Sequence, residues 1–381
     1  MKQFNDPVGN VRILSVFGTR PEAVKMAPVA RALTAADGVD HRICVTAQHR
    51  EMLDSVLELF ELNPEYDLDV MAPNQDATHV TCAVLTGMRD VLAEVRPDRV
   101  LVHGDPTTAL AAALAAYYAK VPVGHVEAGL RTGDRYAPWP EEMNRRIADA
   151  ISDRHYAPTE GSRQNLLSEG FPDSGITVTG NTCIDALHHV AERVGSDEEL
   201  AARARENLPA RTPGRRLVLV TAHRRENFGA GFEEICRALA AIGARDDVEI
   251  VFPVHPNPNV QEPVRRHLSG RPHIHLIEPL DYLSFVAVMS DAHLIVTDSG
   301  GIQEEAPALG KPVLVMRDVT ERPEAVAAGT VRLVGTDAER IVGETERLLE
   351  DEEAYAAMAR AANPFGDGHA SERILAELTG G

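Results

Sequence analysis

The chain has 381 residues, 25% of them charged and 44% apolar, with a formal net charge of −20 and four cysteines. That length exceeds one ordinary core and suits two domains, and the composition belongs to a globular chain rather than a disordered one. The acidic balance argues against a nucleic-acid partner, so an anionic ligand has to be met by local positive groups.

The opening stretch MKQFNDPVGN is polar and carries no apolar signal region. The most apolar run, ALAAALAAYYA at 109–119, is too short to span a bilayer. Cys44, Cys82, Cys183 and Cys236 lie far apart without a C-x-x-C pair, as free thiols in a reducing compartment would. These features predict a cytoplasmic protein with no membrane segment.

Short β-branched runs alternate with longer amphipathic stretches along the chain. The first half offers VRILSVF (11–17), RICVTA (42–47), RVLVHG (99–104), VPVGHVEA (121–128), RHYAPT (154–159) and ITVTGN (176–181) as strands. They are apolar throughout rather than alternating, which predicts burial on both faces and hence a parallel sheet covered by helices. The polar, Arg- and Pro-containing segment at 203–216, RARENLPARTPGRR, reads as a domain boundary. Beyond it the pattern restarts with RLVLVTA, VEIVFPVHPN, HIHLIEPL, HLIVTDSGG, KPVLVMRD and TVRLVG. Two successive βα arrays of similar size predict an α/β protein of two doubly wound domains facing a cleft.

Ligands bind such sheets where strands end and helices begin, and the chemically suggestive motifs occupy those places. FGTRPE follows the first strand, TAQH the second, HGDP the third and HVEAG the fourth; AHRREN, HPNP and DSGGIQEEAP do the same in the second half. Gly, Pro and Asp collect at turns anyway, but seven motifs on strand ends exceed that tendency. In DSGGIQEEAP, Ser299 is placed to cap a helix whose first turn is Gly300 and Gly301, leaving backbone N–H groups at the positive end of a helix dipole. A phosphate fits there, as does an ordinary turn. Arg20 and Lys25 would face this site from the other domain, although a lysine at that position is often simply solvated. Among the carboxylates of PWPEEMNRR, Glu141 with Arg145 and Glu142 with Arg146 stand four apart at a helix start, the spacing of surface ion pairs; for Glu142 that bland reading is preferred.

Several chemistries lack their motif. Gly229-Ala-Gly231 and Gly366-Asp-Gly368 are not followed by the third glycine of a dinucleotide fingerprint, and FGTRPE has only one glycine. No Walker lysine motif and no G-x-S-x-G is present. His125, His223 and His255 sit on different strand ends without H-x-x-x-H spacing, so no metal is expected. Neither NAD nor any other cofactor is called for.

Taken together, FGTRPEAVKMAP, TAQHREML, GHVEAGLRTGD, PWPEEMNRR, TGNT, HRRENFG, DSGGIQEEAPALGKPVLVMR, TERPEAVAAGTVRLVG and NPFGDG resemble, in order from about residue 11 to about residue 376, the bacterial non-hydrolysing UDP-N-acetylglucosamine 2-epimerases. The resemblance implies two Rossmann-like domains in a glycosyltransferase-B-like arrangement. Residues 1–180 with a returning C-terminal helix at 364–381 would form one domain, and 181–363 the UDP-binding one. It also implies interconversion of UDP-GlcNAc and UDP-ManNAc, usually by a homodimer.

Such a reaction gives the clustered carboxylates a purpose. The C2–H of an N-acetylhexosamine is barely acidic, and without NAD the ring cannot be oxidised to activate it. Departure of UDP from C1 creates an oxocarbenium-like centre that acidifies C2–H, and its loss gives a 2-acetamidoglucal that re-adds UDP after protonation on the opposite face. By resemblance the catalytic carboxylates are Asp105, Glu127 and Glu141, and His223 assists the leaving phosphate. The UDP-contacting positions fall on Arg20, Lys25, Phe285, Ser299, Gly300, Gly301, Glu305 and Arg322, with Phe285 near uracil and Glu305 on the ribose. One departure stands out: Pro106 takes the place of the threonine that usually follows the catalytic aspartate, removing an N–H and a hydroxyl. Other readings open at this stage are a hydrolysing relative releasing ManNAc, an epimerase of a modified UDP-sugar, and a non-catalytic UDP-sugar sensor.

Overall fold

A computed structural model describes residues 10–47, 50–71 and 75–380, without the side chains of residues 50–52. Gln48 and His49 of the TAQH motif lie outside the described residues. The chain divides into two compact units, Met1–Ala186 with Gly366–Gly381, and Leu187–Phe365.

The first unit is built on seven parallel strands: β1 Val11–Phe17, β2 Val39–Val45, β3 Tyr66–Asp67, β4 Arg99–His103, β5 Val123–Val126, β6 Arg154–Ala157 and β7 Ile176–Val178. Their order is β3-β2-β1-β4-β5-β6-β7, so the strand order reverses direction between β1 and β4. The six runs read as strands are strands. β3 is an addition, a two-residue strand too short to carry any periodicity. Leu14, Val16, Val84, Met88, Val100, Val102 and Ala112 form one packed core on a sheet face. The alanine-rich run at 109–119 belongs to the helix Thr107–Tyr118, whose buried Ala111, Ala112, Ala115 and Ala116 let neighbouring helices approach closely. Among the described residues, no helix is long and apolar enough to cross a membrane.

The second unit repeats the plan with β8 Arg216–Thr221, β9 Val248–Pro253, β10 Ile274–Ile277, β11 Leu294–Thr297, β12 Val313–Val315 and β13 Val331–Leu333, in the order β10-β9-β8-β11-β12-β13. Its reversal falls between β8 and β11. Phe232 and Phe252 are fully buried in its core, each contributing about 1.5–3 kcal/mol by leaving water.

The edge between the units lies inside the helix Thr182–Ser196, not in the segment 203–216. That segment is tied into the second unit instead. Arg205 pairs with Asp291 at 3.3 Å, and Arg211 pairs with the buried Glu249, so a polar, Pro-containing sequence is here a surface strap rather than a linker. In the first unit the C-terminal helix Ala370–Thr379 packs on the helix Arg20–Ala35. It is anchored where Asp185 accepts from the Ser371 backbone N–H at 2.7 Å and hydroxyl at 2.6 Å.

Candidate active site

In open parallel sheets the crevice beside the reversal point is where ligands bind, and both units place their reactive side chains there. In the first unit β1 runs into the helix Arg20–Ala35 through Gly18. A Cβ at Gly18 would lie 1.9 Å from Thr46 Oγ1, so only glycine lets the turn pass. Thr19 and Glu22 form a capping box, with Glu22 Oε2 accepting from the Gly18 and Thr19 N–H groups at 3.1 and 2.7 Å. Glu22 is buried with its other oxygen unpartnered, and burial pushes its carboxyl up to about 7. Arg20 opens the helix at an exposed position, and Lys25, one turn in, forms an ion pair with Glu127 Oε1. Lys25 is therefore not simply solvated.

Asp105 follows β4 across Gly104, whose φ of 60° suits glycine. Arg145 Nη2 donates to Asp105 Oδ2 at 2.5 Å, and Asn144 Nδ2 to the Asp105 carbonyl at 2.9 Å. Burial raises the Asp105 carboxyl above its ordinary value; Arg145 opposes the rise, while Glu127 and Glu141 add to it. Glu127 ends β5 with φ 64°, a left-handed conformation that costs a non-glycine residue about 1–3 kcal/mol and persists only where the surroundings enforce it. Asn181 Nδ2 donates to its Oε1 at 2.9 Å, and His103 Nε2 lies 3.8 Å from its Oε2. Burial drives His103 down to about 3, so that ring stays neutral.

Glu141 opens the helix Glu141–Ile151, half-buried. It does not pair with Arg145, which turns to Asp105. Glu142 corrects the surface reading outright: it is fully buried, accepts from the Thr132 N–H at 3.1 Å and lies 3.5 Å from Arg145, whereas Arg146 pairs with Glu169 at 3.2 Å. The amphipathic helix simply presents Glu142 and Arg145 inward.

His125, beside these groups in sequence, braces them. Its Nδ1 meets Asp149 Oδ1 at 2.6 Å and its Nε2 the Gly104 carbonyl at 2.7 Å. Both partners only accept, so both ring nitrogens carry protons. Burial alone would push His125 down, but the Asp149 carboxylate outweighs it and the net shift is upward. Burial likewise opposes ionisation of Asp149, yet His125 and Arg131 hold its carboxyl below the ordinary value. This buried pair fixes the carbonyl next to Asp105.

In the second unit the fully buried Asp298 at the end of β11 organises the turn after β8. It accepts from the backbone N–H groups of His223, at 2.9 Å, and Arg224, at 2.8 Å, and from Asn227 Nδ2 at 3.2 Å. The His223 ring stacks on His255 with centroids 5.6 Å apart. Burial lowers His223, and His255 and Arg224 add to this against the pull of Asp298. The helix Gly300–Ala308 then starts at Ser299, which takes the capping position without a side-chain cap bond. Its hydroxyl is thereby not spent on the helix. A Cβ at Gly300 would lie 3.6 Å from Arg224 Nη2, 3.9 Å from Arg322 Nη2 and 3.9 Å from Glu321 Oε2, so two guanidinium groups flank this N-terminus together with the Glu321 carboxylate, itself 3.8 Å from Arg224. Arg322 also pairs with Glu304. Glu305 and Phe285 are half-buried, Phe285 on the helix Tyr282–Asp291. The arrangement of dipole, small residues and arginines is one that receives phosphate.

The family model for UDP-N-acetylglucosamine 2-epimerase matches residues 31–379. The UDP-N-acetylglucosamine 2-epimerase of Escherichia coli (strain K12) is 59% identical over 369 residues, 97% of this chain and 98% of that protein. The chain belongs to the UDP-N-acetylglucosamine 2-epimerase family. A crystal structure of the epimerase from Neisseria meningitidis bound to UDP-GlcNAc is 49% identical, with a TM-score of 0.87 over 97% of this chain and 100% of that one. A glycosyltransferase from Streptomyces nogalater, 17% identical with a TM-score of 0.61 over 97% of this chain and 99% of that one, shares the fold alone.

Within this epimerase family member, the first unit brings together Lys25, Asp105, Glu127 and Glu141, and the second His223, Ser299, Gly300, Gly301 and Arg322. Sequence reasoning passed over Arg145, Asn181, Arg224 and Asp298 as site residues. Each lay within a quoted motif, but its partner is distant along the chain. His223 and His255, read as scattered, are neighbours. Among the described residues no group of three or more His, Cys, Asp or Glu side chains is placed to hold a metal ion.

Proposed function

We propose that this protein interconverts UDP-GlcNAc and UDP-ManNAc by reversible elimination and re-addition of UDP. The observation that carries the reading is the gathering of Asp105, Glu127 and Glu141 at one strand-end edge, with Asp105 raised by burial and Glu127 neutralised by Lys25. The C1–O bond breaks with its electron pair going to the UDP phosphate oxygen. A carboxylate then takes the C2 proton, and the C–H electrons form the C1=C2 bond of 2-acetamidoglucal. Returning a proton to the opposite face of C2 while the phosphate oxygen re-attacks C1 gives the epimer. Two acid–base groups serve the two faces and a third anion stabilises the cationic centre, the division of labour that three carboxylates allow.

His223, lowered and hence neutral, donates a hydrogen bond to the departing phosphate. Ser299 and the N–H groups of Gly300 and Gly301 bind the pyrophosphate with Arg322, while Arg20 and Lys25 supply further positive charge. Phe285 packs on uracil and Glu305 accepts from the ribose. The protein works as a cytoplasmic homodimer and takes no cofactor.

Incubation with UDP-GlcNAc in D2O, followed by NMR, tests this. UDP-ManNAc carrying deuterium at C2, with little free sugar and no added NAD or metal, is expected. Protium retained at C2 would rule out elimination, and accumulation of free ManNAc would make the enzyme hydrolytic.

A further inference from the structure

The TGNT motif ends β7, yet none of its residues has a part in the reaction described so far. Asn181 in that motif is buried, 3% exposed. Its two side-chain atoms face different tasks. Oδ1 accepts from the Cys183 N–H at 3.1 Å, serving the first turn of the helix Thr182–Ser196, and Nδ2 donates to Glu127 Oε1 at 2.9 Å. Lys25 Nζ converges on the same Oε1. Glu127 Oε2 points the other way, towards the neutral His103 ring 3.8 Å off and towards Gly104, where a Cβ would lie 3.3 Å from it.

The turn that carries Asn181 is itself clamped. A Cβ on Gly366, φ 131°, would lie 3.3 Å from the Gly180 α-carbon and 3.4 Å from the Asn181 nitrogen, so the returning chain touches the turn through a residue without a side chain. Arg373 Nη1 donates to the Thr179 carbonyl at 2.8 Å and to Asp367 at 2.8 Å. Gly366, Asp367 and the helix after them thus hold the turn that holds Glu127.

We infer that Asn181 is a positioning residue for the proposed epimerisation: with Lys25 it fixes the rotation of the Glu127 carboxylate by occupying Oε1, so that Glu127 exchanges the C2 proton through Oε2. This rests on the reading of the protein as an epimerase. An amide suits the task because it donates to the carboxylate without adding charge beside Lys25, whereas a second carboxylate there would repel it.

The test is Asn181→Asp, which keeps an oxygen for the Cys183 N–H and so preserves the helix start, but removes the donor to Glu127. Among the described residues, the charged and titratable groups facing Glu127 include Lys25 from the helix Arg20–Ala35, His103 from β4 and Asp105 after it, with Arg145 and Glu141 acting on Asp105. Of these His103 is neutral across the working range. The expected result is a thermal midpoint close to wild type, KM within about threefold, kcat lower by about 10- to 100-fold, and the acid limb of the kcat profile moved to higher pH by about one unit. Asn181→Ala, which loses both bonds, should lose thermal stability as well. Wild-type kcat in Asn181→Asp, or a lower kcat with an unmoved acid limb, overturns the inference. A 13C titration of the Glu127 carboxyl, assigned by its loss in Glu127→Gln, reads the same effect without substrate. If wild type incorporates no deuterium at C2 the epimerase reading fails, while this titration still decides whether Asn181 controls Glu127.

Discussion

Arg145 reaches back 40 residues to place Nη2 2.5 Å from Asp105 Oδ2, and it is the principal group holding that carboxyl down against burial. Replacing Arg145 by Met keeps the apolar stem and removes the charge. Asp105, already raised by burial, should rise further once the opposing guanidinium is gone. If Asp105 acts ionised, kcat at pH 7 falls by about tenfold or more and the acid limb of the profile moves up. Steady-state rates from pH 5 to 9 check this; an unchanged profile would detach Asp105 ionisation from turnover.

The buried His125–Asp149 pair makes a prediction about stability rather than rate. His125 is raised in the folded protein, so its contribution is fully present below the unfolded value near 6.5 and is lost as pH rises through the folded one. Asp149 is lowered, so its contribution is present above the unfolded value near 3.9 and is lost as pH falls through the folded one. The pair therefore stabilises most between those two unfolded values. His125→Gln leaves the Asp149 charge buried with less compensation, a change that costs about 3–5 kcal/mol. Denaturant unfolding at pH 5.5 and 8.5 should show a larger loss at 5.5; an equal loss at both would mean that His125 is not held protonated.

The strand ends were legible because doubly buried parallel strands have an apolar signature and their termini attract Gly, Asp and Pro for backbone reasons. So HGDP, HVEAG, AHRREN and DSGG could be placed from sequence; HGDP, AHRREN and DSGG sit where the strand order reverses, and HVEAG one strand further on. The pairing of side chains was not legible. Asn181 and Glu127 stand 54 residues apart and Asp298 and His223 75, separations at which no local periodicity links them. Glu142 was misjudged because i,i+4 charges on a helix look alike whether the face is wet or buried; only packing distinguishes them. β3, two residues long, has no pattern to read.

Asp105→Asn, Glu127→Gln and Glu141→Gln remove the acid–base function at nearly constant shape. Each should lower turnover by about 10²-fold or more, the range for losing a positioned acid or base. UDP binding, assigned chiefly to Phe285, Ser299, Gly300, Gly301, Glu305 and Arg322, should be nearly kept. Calorimetric titration with UDP beside the deuterium-exchange assay separates the two. Near-normal exchange in all three variants would leave the carboxylates structural.

Pro106 sits at the capping position of the helix Thr107–Tyr118 with φ −64° and ψ 161°, and this helix start has no side-chain cap. Those angles suit a capping threonine as well as they suit proline. Pro106→Thr therefore offers two things at once: a hydroxyl and an N–H beside Asp105, and an oxygen able to accept from the first helical turn. As a cap, the threonine should stabilise by about 0.5–2 kcal/mol, visible as a higher thermal midpoint. As a sugar contact, a pair of hydrogen bonds at about 1 kcal/mol each would raise kcat/KM for UDP-GlcNAc relative to a diacetamido or uronic analogue by about tenfold. The hydroxyl can accept from the helix and still donate its own proton outward, so the two gains do not exclude each other. Competition assays on wild type and Pro106→Thr, run beside thermal unfolding, separate them. A shifted substrate ratio would show that Pro106 tunes sugar choice; a higher midpoint with an unchanged ratio would confine it to the helix start.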